Sequence, residues 1–184
     1  MEIKITSKQI LIALTIISWI IFVGICIDAG GYITNTIYAM AVNLEAASHY
    51  WTKIDFSALY NYDSGHFLVV TLYMIIVKVL TAIMFYLIIK NLDSKKLDMK
   101  KPFKKEFGQF IQLLSYLALG IGLFSNWGLK YAEWLIKKGI KMPNINQLNL
   151  DGAGVWLFMG VILLVIAQIF KRGIEIQEEN DLIL

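Results

Sequence analysis

Residues 153–170 read AGVWLFMGVILLVIAQIF, and residues 171–184 read KRGIEIQEENDLIL. The first stretch is an 18-residue run without a charged side chain; the second opens on two cations and a glycine and then turns acidic. A membrane-crossing helix takes about 17–25 mostly apolar residues, so the first stretch reads as a span and the second as the tail leaving it. Asp151 is expected to cap the start of this helix. Gly154 and Gly160 form a stripe along which another helix could approach closely.

The whole chain fits that reading. Its 184 residues are 58% hydrophobic and 17% charged, with a mean hydropathy of +0.62. Soluble domains are roughly 45–50% apolar and about 25% charged, so both departures point to a membrane protein. Cys26 is the single cysteine, which excludes a disulfide framework within one chain and any paired-cysteine zinc or redox motif. The formal net charge of +3 says less than its distribution.

Three further runs lie upstream: residues 10–27, 66–89 and 107–129. The first competes with a signal peptide, because Lys4 and Lys8 precede it. A signal h-region has only ~7–15 apolar residues and a small-residue cleavage site. This run is longer, and Ile25-Cys26-Ile27-Asp28 makes a poor site, so a retained helix is expected. The third run holds Gly108, Ser115, Gly120, Gly122, Ser125 and Gly128, small residues suited to close packing or to dimerisation in lipid. The expected fold is all-α: an integral membrane four-helix bundle forming one domain, residues 1–184, with a long extracytoplasmic first loop containing a short interfacial helix. In that loop, residues 28–65, Gly30-Gly31 is expected to break the first helix. Ile33–Tyr50 has the apolar spacing of a separate surface helix. Tyr50, Trp51, Phe56, Tyr60 and Tyr62 suit a headgroup layer.

Lysine and arginine set the orientation of short loops, acids contributing little. Eleven cations fall on the face that carries both termini: Lys4, Lys8, the seven lysines of residues 90–106, Lys171 and Arg172. Five fall on the other: Lys53, Lys130, Lys137, Lys138 and Lys141. Both termini are therefore expected in the cytoplasm, with the chain in a bacterial cytoplasmic (inner) membrane. The basic connection 90–106 could hold anionic headgroups or pair with the acidic tail on the same face. It lacks the interleaved aromatics of a nucleic-acid surface, and no direct nucleic-acid contact is expected.

Lys78 stands in the middle of the second run, 12 residues from both His66 and Lys90. An ionisable group at mid-bilayer is costly and is by default a functional candidate. No Asp or Glu falls inside any of the four runs as bounded above. Its candidate partners are then hydroxyls and amides: Ser18, Ser115, Tyr116, Gln112 and Gln168. A structural lysine, a ligand or proton site, and a snorkelling lysine all remain open. At the outer face, Asp28, Glu45, His49 and His66 could meet in a polar site. Asp63-Ser64-Gly65-His66 reads first as a helix cap supplied by Asp63 or Ser64. No nucleophile elbow, phosphate loop or paired-histidine motif is present, so neither an enzyme nor a bound metal or cofactor is expected. The glycine- or proline-broken helix pairs of transporter repeats are also absent.

The run Phe170-Lys171-Arg172-Gly173-Ile174-Glu175-Ile176-Gln177-Glu178-Glu179-Asn180-Asp181-Leu182 resembles the C-terminal signature of a family of small bacterial four-helix membrane proteins classed as a domain of unknown function. Members are often encoded beside a small Xre-type helix-turn-helix regulator. The resemblance implies a membrane-embedded sensor or regulatory partner that binds such a regulator through its cytoplasmic face. Lys171, Arg172, Glu175, Glu178, Glu179 and Asp181 would form the docking surface. The alternative is a small transporter or ligand-binding bundle centred on Lys78.

Overall fold

The computed structural model describes residues 7–42, 47–93 and 105–181, leaving aside the side chains of residues 7, 8, 93, 180 and 181. Five α-helices follow one another: α1 Ser7–Ala41, α2 Ser57–Tyr62, α3 Ser64–Asp93, α4 Lys105–Lys137 and α5 Ala153–Asp181. No strand occurs among the described residues; Tyr50 and Ile54 form an isolated bridge. Four of the helices, all but α2, are long and apolar enough to cross a membrane. The protein is an all-helical, four-span membrane bundle. Its main contacts run in a row: α1 on α3, α3 on α4, and α4 on α5.

Burial follows from the solvent. Outward-facing side chains of α1 and α5 are large and apolar, with Ile20, Val155 and Phe158 more than two-thirds exposed. An apolar belt of this extent suits hydrocarbon and not water. Inside, small residues set the α4–α5 distance. Leu157 lies over Gly122 and Leu119 over Gly160; a Cβ on either glycine would come within 2.7 Å of the facing leucine Cγ. Ser115 Oγ donates to the Gly160 carbonyl at 3.0 Å, closing the same contact. Here the glycines serve packing within the chain, one of the two uses their sequence pattern permits.

The tightest core lies at the end away from the chain termini. Tyr32, Tyr50, Ile54, Phe56, Leu59, Phe67, Leu148 and Leu150 are essentially inaccessible there. The rings of Tyr50, Phe56 and Phe67 meet edge to face at 5.1–6.0 Å, and Tyr32 stacks on Tyr50 at 5.9 Å. Rings with one polar edge pack well in such a site because the hydroxyl still finds a partner.

Several expectations about this end are corrected. Gly30-Gly31 does not break the first helix, and Ile33–Ala41 is its last quarter and not a separate surface helix. At ~1.5 Å per residue, the 35-residue α1 is about 52 Å long and outruns a hydrocarbon core of roughly 30 Å. Its last turns rise into the loop layer, where the Tyr60 hydroxyl donates to the Ala39 carbonyl. Glycine in a helix is unfavourable by about 1 kcal/mol, and the reason for Gly31 is steric. The Trp51 ring lies where a Cβ on residue 31 would project. Trp51 reaches this place from a one-turn 3-10 helix, Trp51–Lys53, in which Thr52 and Lys53 hold positive φ of 59° and 63°. Such left-handed residues persist where surrounding packing over-determines them. The short helix within the loop is α2. At the same end, before α5, Gly152 (φ +77°) accepts the first α5 bond from Trp156, so it takes the capping position expected for Asp151. The third span also runs beyond Leu129, as α4 continues to Lys137.

Asp63 does cap α3: its Oδ1 accepts from the His66 amide at 2.9 Å. That hydrogen bond holds the carboxyl below its ordinary range. A depressed carboxylate stabilises the fold above its unfolded pKa of about 3.9, and the contribution is lost as pH falls through the lower folded value. Asp63→Asn should therefore flatten the acid limb of melting temperature against pH below about pH 4. Gly31→Ala and Gly30→Ala separate the two glycines. Gly30 has open space where a Cβ would stand, so its alanine variant should melt at or above wild type, by up to about 1 kcal/mol. Gly31→Ala should melt lower, and equal melting of the two variants would show that Trp51 does not depend on Gly31.

Candidate functional site

A single acid and a single base occur in the central parts of α1 and α3. Asp28 is the sole charged residue between Gln9 and Ala41, and Lys78 the sole one between Phe67 and Ile89. The two helices pack together, and Lys78 Nζ donates to Asp28 Oδ2 at 3.0 Å. Lys78 is the more enclosed partner, its side chain 16% exposed against 36% for Asp28. The second carboxylate oxygen is also engaged: Trp51 Nε1 donates to Asp28 Oδ1 at 3.2 Å. The ammonium lies 6.0 Å from the centroid of the Tyr32 ring, one helical turn beyond Asp28.

From Tyr32 the network continues upward. The Tyr32 hydroxyl accepts from Asn149 Nδ2 at 2.9 Å, tying α1 to the connection before α5. Asn149 itself has φ +52°, a conformation that asparagine tolerates better than most residues. The Tyr32 carbonyl accepts from the Tyr50 hydroxyl at 2.9 Å, whose oxygen meets Thr36 Oγ1 at 2.8 Å. Burial pushes the Tyr50 phenol well above its ordinary pKa, so it remains a neutral donor. The ion pair is thus the lower end of a polar column running to the loop layer. Each charge has its opposite and each carboxylate oxygen of Asp28 accepts from a donor, the condition for retaining ions in a low-dielectric interior.

The residues expected to serve Lys78 go elsewhere. Ser115 bonds the Gly160 carbonyl, and Gln112 Nε2 donates to the Tyr116 hydroxyl at 2.7 Å. Ser18 is buried in α1, ten residues before Asp28. Gln112 and Gln168 line a separate groove of about 360 Å³ between the first turns of α4 and the last turns of α5, with Lys105, Lys171, Glu175 and Glu178 around its mouth. The outer-face set is dispersed as well. Asp28 belongs to the ion pair, and His49 Nδ1 meets Ser48 Oγ at 2.7 Å. His66 Nδ1 meets the Tyr131 hydroxyl at 2.6 Å, beside Tyr62 and Trp134. Glu45 lies outside the described residues, as do most of the 90–106 connection and the Asp181 side chain. No group of three or more His, Cys, Asp or Glu side chains that could hold a metal ion occurs among the described residues.

The tail is the other departure. Residues 171–181 continue α5 as a helix, so the charged stretch extends the last span. Ile174 and Phe170 lie against Gly108 of α4, and Phe170 meets Phe107 at 5.3 Å between ring centroids. Arg172 and Glu175 pair along the helix at 3.0 Å. Lys105 shares the groove with Glu175 and Glu178, which brings the described end of the basic connection and the acidic extension to one place.

This arrangement covers three of the four spans in a stretch with a known pattern. The chain belongs to the family Protein of unknown function (DUF2975). The family's model matches residues 46–184, which takes in α3, α4, α5 and the loop layer. In this DUF2975 chain Lys78 therefore lies within the matched residues and Asp28 before them. No curated protein matches the chain, and no solved structure does.

The sequence reading places Asp28 at the outer face; its role as the partner of Lys78 has a signal in the sequence as well. One unpaired charge in each of two apolar helices, of opposite sign, is a pairing pattern. The break assumed at Gly30-Gly31 put Asp28 in a loop and hid it. Removing one partner should be the damaging change. Asp28→Asn or Lys78→Met should each lower stability by about 2–4 kcal/mol in detergent or lipid, because the remaining ion loses its counter-charge. The double variant Asp28→Asn, Lys78→Met should recover most of the loss. Additive losses in the double variant, read by denaturant titration, would show that the two side chains do not act as a pair.

Proposed function

We propose that this is a non-catalytic membrane-embedded regulatory partner, which docks a small helix-turn-helix transcription regulator on the extension of α5. One observation carries the reading: α5 leaves its apolar run without ending, and presents a helical surface beyond it. Arg172, Ile176 and Glu179 are exposed on the extension and take no part in the groove against α4. Ile176 is 46% exposed between these charged neighbours, on a stretch whose other exposed side chains are polar. An apolar side chain ringed by charges is the usual form of a small docking site. The acids Glu175, Glu178, Glu179 and Asp181 outnumber Lys171 and Arg172, which suits a basic DNA-binding protein and would compete with DNA phosphates for it.

The excess of lysine and arginine on the terminus-bearing face supports a cytoplasmic location for the extension, in a bacterial inner membrane. The alternative of a ligand-binding bundle centred on Lys78 loses its free ammonium to Asp28. A small helix-turn-helix regulator of the expected type should co-purify with the full-length chain. Ile176→Lys with Glu179→Lys should weaken capture about tenfold or more, since both an apolar anchor and a favourable charge are reversed. Both side chains are exposed, so folding should be unaffected. Capture that is indifferent to this pair of changes and to removal of residues 174–184 would overturn the proposal.

A further inference from the structure

We infer that the groove between α4 and α5 binds the headgroup of a primary-amine zwitterionic phospholipid, the phosphatidylethanolamine type. The inference rests on the membrane bundle and on the groove, and is independent of regulator docking.

The groove has a volume of about 360 Å³, within the size of small-molecule sites. Its place is set by the sequence of α5. Gln168 lies in the last turn of the uncharged run, and Lys171, Glu175 and Glu178 follow it outward on the same face. At ~1.5 Å per residue these four positions climb about 15 Å along the helix, from the edge of the hydrocarbon into water. Gln112 of α4 lies at the deep end and Lys105 at the mouth.

Read outward along α5, the lining is amide, then cation, then carboxylates, with Lys105 of α4 beside the carboxylates at the mouth. A phosphatidylethanolamine entering with its acyl chains along the bundle presents, in the same direction, ester carbonyls, a phosphate and an ammonium. The amides of Gln112 and Gln168 can donate to the ester oxygens. Lys171 meets the phosphate, and Glu175 and Glu178 meet the ammonium, each a charge-assisted hydrogen bond. Ala167 and Ile174 supply the apolar wall. Glu175 Oε2 is held by Arg172, which fixes this carboxylate beside the groove.

The lining also discriminates. A quaternary ammonium has no N–H to donate and is recognised by aromatic faces; no aromatic residue lines this groove. An anionic headgroup without an amine would place its charge below two carboxylates that Lys105 and Arg172 offset only in part, and would leave Glu178 without an ammonium to meet. Both arguments select a primary amine joined to a phosphate.

The test uses the full-length chain without regulator, delipidated in detergent and offered equal amounts of phosphatidylethanolamine, phosphatidylcholine and phosphatidylglycerol. Retained lipid is read by native mass spectrometry. Wild type should retain phosphatidylethanolamine about tenfold over the other two, the scale of one or two charge-assisted hydrogen bonds. Glu175→Gln with Glu178→Gln should abolish the preference, and Lys171→Gln should lower retention of all three. Glu178→Gln alone, on an exposed side chain, should reduce the preference and serves if the double variant folds poorly. Equal retention of the three lipids by wild type would overturn the proposal, as would preference for phosphatidylglycerol or an unaltered preference in the carboxylate variants. Soluble glycerophosphoethanolamine should bind far more weakly than the lipid; equal affinity would make the ligand a soluble metabolite and overturn the lipid assignment. Failure here leaves regulator capture untouched, because the regulator is absent.

Discussion

An ion inside a bilayer must find its opposite, and the pairing of Asp28 with Lys78 is the constraint on which this structure turns. The two residues lie 50 positions apart, on the helices that begin and anchor the bundle. Their contact fixes the register of α1 against α3: a slide of one turn would leave both ions facing hydrocarbon, several kcal/mol apiece by insertion scales. With register fixed, Tyr32 falls one turn above Asp28 and Thr36 one turn above that, each at the height of its loop partner. The indole of Trp51 can then satisfy the second carboxylate oxygen only by lying flat against α1. Gly31, with no side chain, is the surface that permits it. The unusual turn at Thr52 and Lys53 is the consequence, since the chain must double back within three residues to deliver that ring.

The four spans were legible because hydropathy over 20 residues is a sum, and sums survive local ambiguity. The partner of Lys78 was not legible by the same route. A glycine pair is a local signal for a helix end, and at Gly30-Gly31 it was outweighed by an aromatic ring 20 positions away in sequence. With a helix end at Gly30-Gly31, Asp28 reads as a loop acid, and hydroxyls and amides such as Ser115, Gln112 and Gln168 remain as candidate partners of Lys78. These sit on faces that α4 and α5 use for each other: Ser115 seals the helix–helix contact, and the glutamines line the groove nearer the chain termini. Hydroxyl and amide content identifies polar positions in a span, but which helix face they occupy depends on packing order. The order α1–α3–α4–α5 separates α5 from Lys78 by a whole helix.

The acidic tail shows the complementary case. Its residues were legible as a surface, and its form was not. Charge density alone suggests a solvated tail, yet Ile174 finds Gly108 and Phe170 finds Phe107, so an apolar stripe continues beyond the uncharged run and carries the helix with it. Helix formation in short polar segments depends on such tertiary contacts more than on propensity. The same stripe draws α5 along the start of α4, and the space left between them is the groove.

The two ends of the bundle therefore differ in kind. At the loop end Tyr32, Tyr50, Trp51 and Asn149 bond one another or the ion pair, and the aromatic rings leave little space between them. That end holds the helices in register. At the terminal end the helices are joined by one apolar stripe, and charged and amide side chains point into a groove open to water and to lipid. A site that must exchange a ligand or partner cannot also be the site that secures the fold, because its groups must be free to change partners. Asp28 and Lys78, whose charges are spent on each other, belong to the first task; Lys171, Glu175 and Glu178, whose charges meet at the edge of the apolar run, are disposed for the second.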